Sequence, residues 1–186
     1  ARGIRNSVGF DWSPIKKQLW FSDNGRDWLG DDLPPDELNK ASRSGLFYGY
    51  PIYYGGGHRD PFYTQEQFKL IAKHFPGQIQ KPQWLIQAHS APLGLRFYNG
   101  HMFPKKYQHQ IFLAEHGSWN RSKKVGYQVV MITLQDQKAV SLTPFLWGFK
   151  QGEQALGRPV DVLVMPDGAL LVSDDGSGTI FRVSYK

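Results

Sequence analysis

The stretch LWFSDNG at residues 19–25 decides the fold of this chain, because two closely similar phrases follow it. These are IFLAEHG at residues 111–117 and LLVSDDG at residues 170–176. Each phrase has the apolar and β-branched or aromatic residues typical of a strand, and each passes through an acid into a glycine-bearing loop. The glycines Gly25, Gly117 and Gly176 are 92 and 59 residues apart. A constant phrase at variable spacing predicts repeated β-sheets that carry loop insertions of different length.

A strand and a turn precede each phrase, so the repeated unit is strand, turn, strand and glycine loop. The leading strands are predicted over residues 8–12, 92–98 and 159–165, and the phrases supply their antiparallel partners. Further strands are predicted at residues 127–134 and 180–185. One helix is predicted over residues 64–75, because Thr64 and Gln67 have capping-box spacing and Pro76-Gly77 ends the pattern.

This pattern predicts an all-β fold, a β-propeller, in which residues 1–186 form one partial domain with an insertion near residues 52–85. At about 40–50 residues for each blade, the chain supplies roughly four blades. A jelly roll or sandwich is the alternative, but it would not explain why the same two-strand phrase always ends in an acidic glycine loop.

Composition limits the classes of function. The chain has 186 residues, 40% hydrophobic and 20% charged, which describes one globular core. No apolar run approaches the roughly 18–20 residues that cross a bilayer. The net charge of +6 is scattered over lysine pairs in predicted turns, so nucleic-acid binding is not predicted. The absence of Cys suits an extracytoplasmic protein. No signal peptide is visible, and a start at Ala1 without Met favours a processed or cleaved end.

An acidic loop is predicted to run from the end of the first phrase to residue 39. Its acids are Asp23, Asp27, Asp31, Asp32, Asp36 and Glu37. Carboxylates at this density repel one another unless a cation or an oriented donor lies among them, and hard oxygen ligands suit Ca²⁺. Taken alone, the charges favour a solvated turn, so both interpretations stay open at this point.

Six phrases, in order, carry a resemblance: RNSVGFDW, LWFSDNGRDWLGDDLPPDELN, YGYP, HSAPLGLRFY, FLAEHGSWNRS and GRPVDVLVMPDGALLVSDD. Together they resemble the glucose/sorbosone dehydrogenase family, and most closely its sorbosone dehydrogenase-like branch. These are soluble quinoproteins that use pyrroloquinoline quinone (PQQ) and Ca²⁺ on a six-bladed propeller. Family chains are about twice as long as this one, so the resemblance implies that it supplies roughly the C-terminal half or more.

The resemblance implies five cofactor-binding residues, namely Arg5, Asn6, His89, Arg121 and Arg158. An arginine and an amide beside the quinone would polarise its oxygens, and arginines suit carboxylate recognition. Alternatives to Arg121 in the same loop are Lys123 and Lys124. The family's next arginine after Arg158 is replaced here by Val160, which leaves one carboxylate contact without a partner.

The resemblance also implies metal ligands. The backbone carbonyls of Gly25 and Arg26 match those that hold the catalytic Ca²⁺. Glu37 and Tyr48 match positions that hold a second, structural Ca²⁺ in some relatives; a surface glutamate and a packed tyrosine are an equally good interpretation of them.

No catalytic residue is assigned, because the family's histidine base is expected in an N-terminal half of the propeller. Two tryptophans, Trp28 and Trp119, are expected to pack inside the sheets, with the border of a sugar site as the alternative.

The implied activity is oxidation of an aldose or sorbosone-type sugar at C1, with electrons passed to an external quinone or cytochrome, in the periplasm or outside the cell. A separate chain supplying the N-terminal half is a possible partner. The competing hypotheses are a non-enzymatic binding module of the same fold and a Ca²⁺-dependent hydrolase.

Overall fold

The structure is a computed structural model that describes residues 1–75 and 77–186. Within these residues the chain forms short antiparallel strands and one α-helix, α1 (Gln65–Ala72), with a 3₁₀ helix at Lys105–Tyr107. The strands are β1 (Phe10–Trp12), β2 (Leu19–Asp23), β3 (Asp36–Ala41), β4 (Tyr53–Tyr54), β5 (His58–Arg59), β6 (Trp84–Ile86), β7 (Pro92–Phe97), β8 (Ile111–Glu115), β9 (Gln128–Gln135), β10 (Lys138–Leu146), β11 (Lys150–Gln151), β12 (Gln154–Ala155), β13 (Pro159–Val164), β14 (Leu170–Asp174) and β15 (Thr179–Val183).

Three larger sheets follow one another along the described chain. Their strand orders are β1-β2-β3-β6, β7-β8-β9-β10 and β13-β14-β15, and all neighbouring strands are antiparallel. The three repeated phrases form β2, β8 and β14, each the second strand of its sheet, and each strand ends at the acid of its phrase. The predicted two-strand units are therefore confirmed.

The second sheet is buried on both faces, which explains the continuous apolar run of β8. Because successive side chains of a strand point to opposite faces, Ile111 and Leu113 pack in a cluster with Trp20 of the first sheet. The alternate residues Phe112 and Ala114 pack in a cluster with residues of the third sheet. Each face of this sheet therefore holds one neighbouring sheet in place.

The first strands of the three sheets lie side by side, with β7 in contact with both β1 and β13. Glycines permit this approach. A Cβ built on Gly94 would lie 2.6 Å from the Cα of Asp161, and one on Gly9 would lie 2.1 Å from the carbonyl oxygen of Leu93. Three sheets whose first strands lie side by side are consistent with a propeller-like arrangement.

The chain between β3 and β6 holds the β4–β5 hairpin and α1, where the sequence predicted an insertion. The capping box is present, because the Thr64 side chain accepts the Gln67 N–H and the Gln67 side chain accepts the Thr64 N–H. The helix ends at Ala72, before the predicted end at residue 75. The predicted end signal was Pro76-Gly77, of which Pro76 lies outside the described residues. The hairpins β4–β5 and β11–β12 each form a separate two-stranded sheet, so the described residues form three larger sheets and two small ones.

The sequence predicted none of the strands β3, β4, β5, β6, β10, β11 and β12, and the two longest of them, β3 and β10, show why. The acidic loop ends at β3, which starts at Asp36, so Asp36 and Glu37 are buried strand residues. Strand β10 was not predicted, because its burial alternates irregularly and it contains Pro144. It is the outer strand of its sheet, where proline is tolerated. Among the described residues, no helix has the length and apolar character that crossing a bilayer requires.

Candidate functional site

Loops from all three sheets line one cavity of about 330 Å³. Three residues that the resemblance singled out, Gly25, His89 and Arg158, come from different sheets or their connections and share it. The full lining is Arg5, Asn6, Asn24, Gly25, Asp27, Asp36, His89, Ala91, Leu93, His116, Gly117, Trp119 and Arg158. The convergence of loops from separate sheets follows from the side-by-side packing of the first strands.

The acids that end the repeated phrases hold the backbone of cavity residues. At the end of β2, Asp23 accepts the N–H of Asn6 at 2.7 Å and that of Arg5 at 3.2 Å. At the end of β14, Asp174 accepts the N–H of Arg158 at 2.8 Å. The repeat therefore places a buried carboxylate behind each of these cavity segments, and it leaves the side chains of the held residues free to face the cavity.

A third carboxylate, that of Asp36, joins two loops of the cavity wall. Its Oδ1 accepts the Gly25 N–H at 2.8 Å, and its Oδ2 accepts the Ala91 N–H at 3.0 Å. Ala91 has a φ of 54° and His89 a φ of 68°, so the turn that carries them has a backbone conformation that needs such support. Sequence reasoning placed Asp36 in a loop and missed this role.

Burial raises the pKa of several of these carboxyls. The pKa of Asp36 rises to about 7, because the group is desolvated and lies near Glu115 and Asp23. Desolvation also raises the pKa of Glu115 to about 7, and a hydrogen bond from the Gln128 amide at 2.8 Å opposes this rise. The pKa of Asp23 is raised mainly by burial. The wall of the cavity therefore concentrates acidic groups that a nearby positive charge would stabilise.

Two arginines, Arg5 and Arg158, face the cavity from separate loops. Arg5 donates from Nη1 to the carbonyl oxygen of Asn24 at 3.2 Å. Arg158 lies 5.3 Å from the centre of the Tyr127 ring and donates from Nη2 to the Tyr127 hydroxyl at 3.1 Å. Within residues 1–75 and 77–186, neither guanidinium forms an ion pair with a carboxylate. Both therefore retain capacity for an anionic ligand.

The resemblance implied that His89 donates a hydrogen bond to the cofactor. In the structure its Nε2–H donates to the carbonyl oxygen of Gly30 at 2.8 Å, and its Nδ1 lies 3.7 Å from Asp27 Oδ1. The N–H at Nε2 is therefore committed to Gly30, and Nδ1 is the ring atom that faces Asp27. His89 thus lines the cavity as predicted, but its donor is used within the protein.

The structure places Arg121 outside this cavity. Its guanidinium donates to the carbonyl oxygen of Asp31 and, at 2.9 Å, to Asp32 Oδ1. It lines a separate groove of about 480 Å³ together with Trp28, whose ring contacts that of Trp119. The alternative Lys124 is bound to Glu153. The structure therefore brings four of the five predicted cofactor residues together, and the exception is Arg121.

The four predicted metal residues, Gly25, Arg26, Glu37 and Tyr48, all line a second, small cavity of about 40 Å³. Its volume is enough for a few water-sized molecules or an ion. A Cβ on Gly25 would lie 2.9 Å from the Pro34 ring, so the neighbouring chain itself requires glycine there. The Arg26 side chain forms an ion pair with Asp60 at 2.7 Å and leaves only its backbone for a ligand role.

In this small cavity, Glu37 is already bonded to protein donors. It accepts from the Asn39 amide at 2.9 Å. The Tyr48 hydroxyl donates to the Lys40 carbonyl oxygen at 2.9 Å. Among the residues described, no three His, Cys, Asp or Glu side chains form a metal-binding cluster. An ion here would depend mainly on backbone oxygens and water.

The expectation that Trp28 and Trp119 pack inside the sheets was wrong. Their exposed fractions are 73% and 64%, and their ring centres lie 5.6 Å apart in an edge-to-face arrangement. Hydrophobicity predicts burial, but these residues lie on loops at the mouth of the cavity, which Trp119 lines. A second unforeseen cavity residue is His116, whose Nε2 lies 2.7 Å from Asp175 Oδ1.

Comparison with known proteins gives one family. A protein-family model described as TrAA12-like matches residues 1–186. An uncharacterised protein of Borreliella burgdorferi is 42% identical over the whole chain, which covers 48% of that protein. A PQQ-dependent pyranose dehydrogenase of Coprinopsis cinerea is 31% identical over 55% of the chain, which corresponds to 16% of that protein.

Among solved structures, a calcium structure of a Trichoderma reesei member of carbohydrate-active enzyme family AA12 is similar over 99% of the chain, with a TM-score of 0.78. That match has 21% sequence identity and covers 53% of the Trichoderma chain. The chain thus spans about half the length of its full-length matches. The structural likeness supports a shared fold, and the sequence comparisons supply the family.

Proposed function

Because this chain belongs to the TrAA12-like family, we propose that it forms part of a quinoprotein that oxidises a sugar. In this proposal PQQ is the redox cofactor and Ca²⁺ its companion ion. The sugar is an aldose or sorbosone-type sugar that reacts at C1, and an external quinone or cytochrome takes the electrons. The observation that carries the proposal is the common cavity, which is lined by two arginines from separate loops, Arg5 and Arg158, that form no ion pair with a carboxylate among the described residues.

The residues fit PQQ, a planar anionic molecule with several carboxylates. Arg158 is held between the Tyr127 ring and backbone carbonyls, so its orientation is fixed before a ligand arrives. Arg5 and Asn6 are held by their N–H groups on Asp23, which leaves their side chains available. When bound, PQQ supplies a quinone that accepts the electrons removed from the sugar. The protein's contribution is to fix the donors that surround it.

Two backbone carbonyls, those of Gly25 and Arg26, are proposed as ligands of the Ca²⁺ ion. Asp36 fixes the Gly25 peptide through its N–H, and the desolvated carboxyls of Asp23 and Asp36 lie behind the same segment. Carbonyl oxygens near buried acids are the hard donors that Ca²⁺ prefers. A second ion at Glu37 and Tyr48 is a separate proposal. We expect weaker binding there, because the Glu37 carboxylate already accepts the Asn39 amide.

The complete ring is proposed to be a six-bladed propeller, to which the described residues contribute three sheets. The edge strand β15 supports further packing, because Ile180 and Phe181, which point to opposite faces of the sheet, are 68% and 37% exposed. The additional blades, with the histidine base, belong either to another part of the polypeptide or to a separate chain. A periplasmic or secreted location is supported by the absence of Cys and by the extracytoplasmic character of the resembled family.

The test uses the complete polypeptide with PQQ, Ca²⁺, an aldose or sorbosone, and an artificial acceptor dye. Dye reduction that requires PQQ, together with calorimetric PQQ binding, is the expected result. Absence of both would favour the binding-module hypothesis. PQQ binding without oxidation of any tested sugar would support the proposed cofactor and contradict the proposed class of substrate.

A further inference from the structure

We propose that Trp28 and Trp119 form a binding platform for a second sugar ring, so that the protein prefers a disaccharide or longer saccharide to a single sugar. This inference rests on the proposed function, because the first ring occupies the common cavity. The observation behind it is the exposed tryptophan pair between that cavity and the groove lined by Arg121. The platform is defined as these two rings.

The pairing of the two rings distinguishes them from isolated surface tryptophans. Single exposed hydrophobic residues are common on protein surfaces. Here two indoles with exposed fractions of 73% and 64% contact one another across loops of different sheets. The ring planes lie at 79° to one another and adjoin polar loop groups, which suits a ligand with both C–H faces and hydroxyl groups.

The platform is held rigidly. Trp28 has a φ of 69°, an uncommon conformation for a residue with a side chain, and its N–H donates to Asn120 Oδ1 at 3.0 Å. Two further contacts tie the same loops together, from the Ser122 N–H to Asp31 Oδ1 at 3.0 Å and from Arg121 to Asp32. Strained, over-determined loop backbone of this kind occurs at ligand sites, and rigidity lowers the entropy lost on binding.

The position of the platform sets the length of the saccharide. Trp119 lines the common cavity, whereas Trp28 lines the neighbouring groove with Gly30, Asp31 and Asn120. A ring seated in the cavity and joined to a second ring would place the second one over the platform. Sugar rings present apolar C–H faces to aromatic rings, and their hydroxyls would meet the carbonyl and amide groups of the groove.

The test measures dissociation constants by calorimetry for glucose, cellobiose and maltose with the complete polypeptide, both without and with PQQ. We expect at least one of the disaccharides to bind about tenfold more tightly than glucose, the scale of one aromatic contact. Trp28→Ala should remove this advantage and Trp28→Phe should restore part of it. The matched control is Trp147→Ala, since Trp147 is 71% exposed and lies away from both cavities.

Equal affinities for glucose and both disaccharides in the unmodified protein would overturn the platform, and so would an advantage that survives Trp28→Ala. Either result leaves the proposed function intact if glucose still binds and is oxidised. Failure of all three sugars to bind, together with failure to bind PQQ, would instead overturn the proposed function and the platform with it. Melting temperatures of the variants separate loss of contact from loss of fold.

Discussion

The carboxylate of Asp174 holds the backbone of Arg158, whose N–H donates to Asp174 Oδ1 at 2.8 Å. The same oxygen accepts the Ser177 N–H at 2.9 Å. One buried acid therefore stabilises both the segment that leads into β13 and the loop that follows β14. Asp23 does the equivalent for Arg5 and Asn6 in the first sheet. The acid of the repeated phrase is therefore a structural support for the cavity.

Replacing Asp174 tests this support. We expect Asp174→Ala to lower the free energy of unfolding by about 1–3 kcal/mol, because it leaves the part-buried N–H groups of Arg158 and Ser177 without their acceptor. Asp174→Asn should lower the free energy of unfolding by a smaller amount, since the amide keeps one oxygen as an acceptor. Urea denaturation of the complete polypeptide provides the measurement. The matched control is Asp175→Ala, whose side chain is exposed; equal losses for Asp174→Ala and this control would contradict the role assigned to Asp174.

Glu115 should make stability depend on pH. Burial raises its pKa from 4.5 to about 7, so the folded protein binds a proton that the unfolded chain has already released. The stability from this group is therefore fully present below about pH 4.5 and is lost as pH rises through about 7, a change of about 3 kcal/mol at most. Glu115→Gln should flatten the dependence. Denaturation at pH 5.5 and pH 8 measures it, with the exposed-site variant Asp136→Asn as control; an unchanged slope in Glu115→Gln would refute the assignment.

Cofactor affinity should depend on Arg158. We expect Arg158→Ala to weaken PQQ binding by roughly 2–4 kcal/mol, the scale for losing one buried charge-assisted contact. Arg158→Lys should recover only part of this loss, because an ammonium cannot form the bidentate contact with a carboxylate. Calorimetric titration gives both values. The control is Arg182→Ala, in which the arginine pairs with exposed Asp167; unchanged affinity in Arg158→Ala would remove Arg158 from the site.

Calcium should stabilise the folded protein. An ion that binds only the folded state raises the free energy of unfolding by about 2.7 kcal/mol at one hundred times its dissociation constant. We therefore expect a chelator to lower the melting temperature and added Ca²⁺ to restore it. Mg²⁺ should restore less, because it demands a stricter octahedral geometry than backbone carbonyls provide. A melting curve that is indifferent to EDTA would count against the ion.

Much of the fold was predictable because its signals are local. The three phrases show strand alternation and end in turn chemistry, and both features act within a few residues of β2, β8 and β14. The grouping of Gly25, His89 and Arg158 in one cavity was also foreseen, through the family resemblance.

The remaining features depend on contacts between distant parts of the chain. Asp36 accepts a hydrogen bond from the N–H of Ala91, 55 residues away. Arg121 lies outside the cavity because its guanidinium binds the Asp31–Asp32 segment, about 90 residues away. The exposure of Trp28 follows from a loop fixed by Asn120. These pairings join residues that are distant in the sequence, so no local pattern predicts them. The sequence therefore predicted that these residues lie in loops but did not identify their partners.

The acids behind the cavity, Asp23 and Asp174, bind backbone N–H groups, and this has an evolutionary consequence. Because Asp23 and Asp174 recognise the main chain at positions 5, 6 and 158, almost any amino acid can occupy those positions without disturbing the supporting bond. Natural variation can then alter what the pocket accepts while the scaffold that shapes it is inherited unchanged.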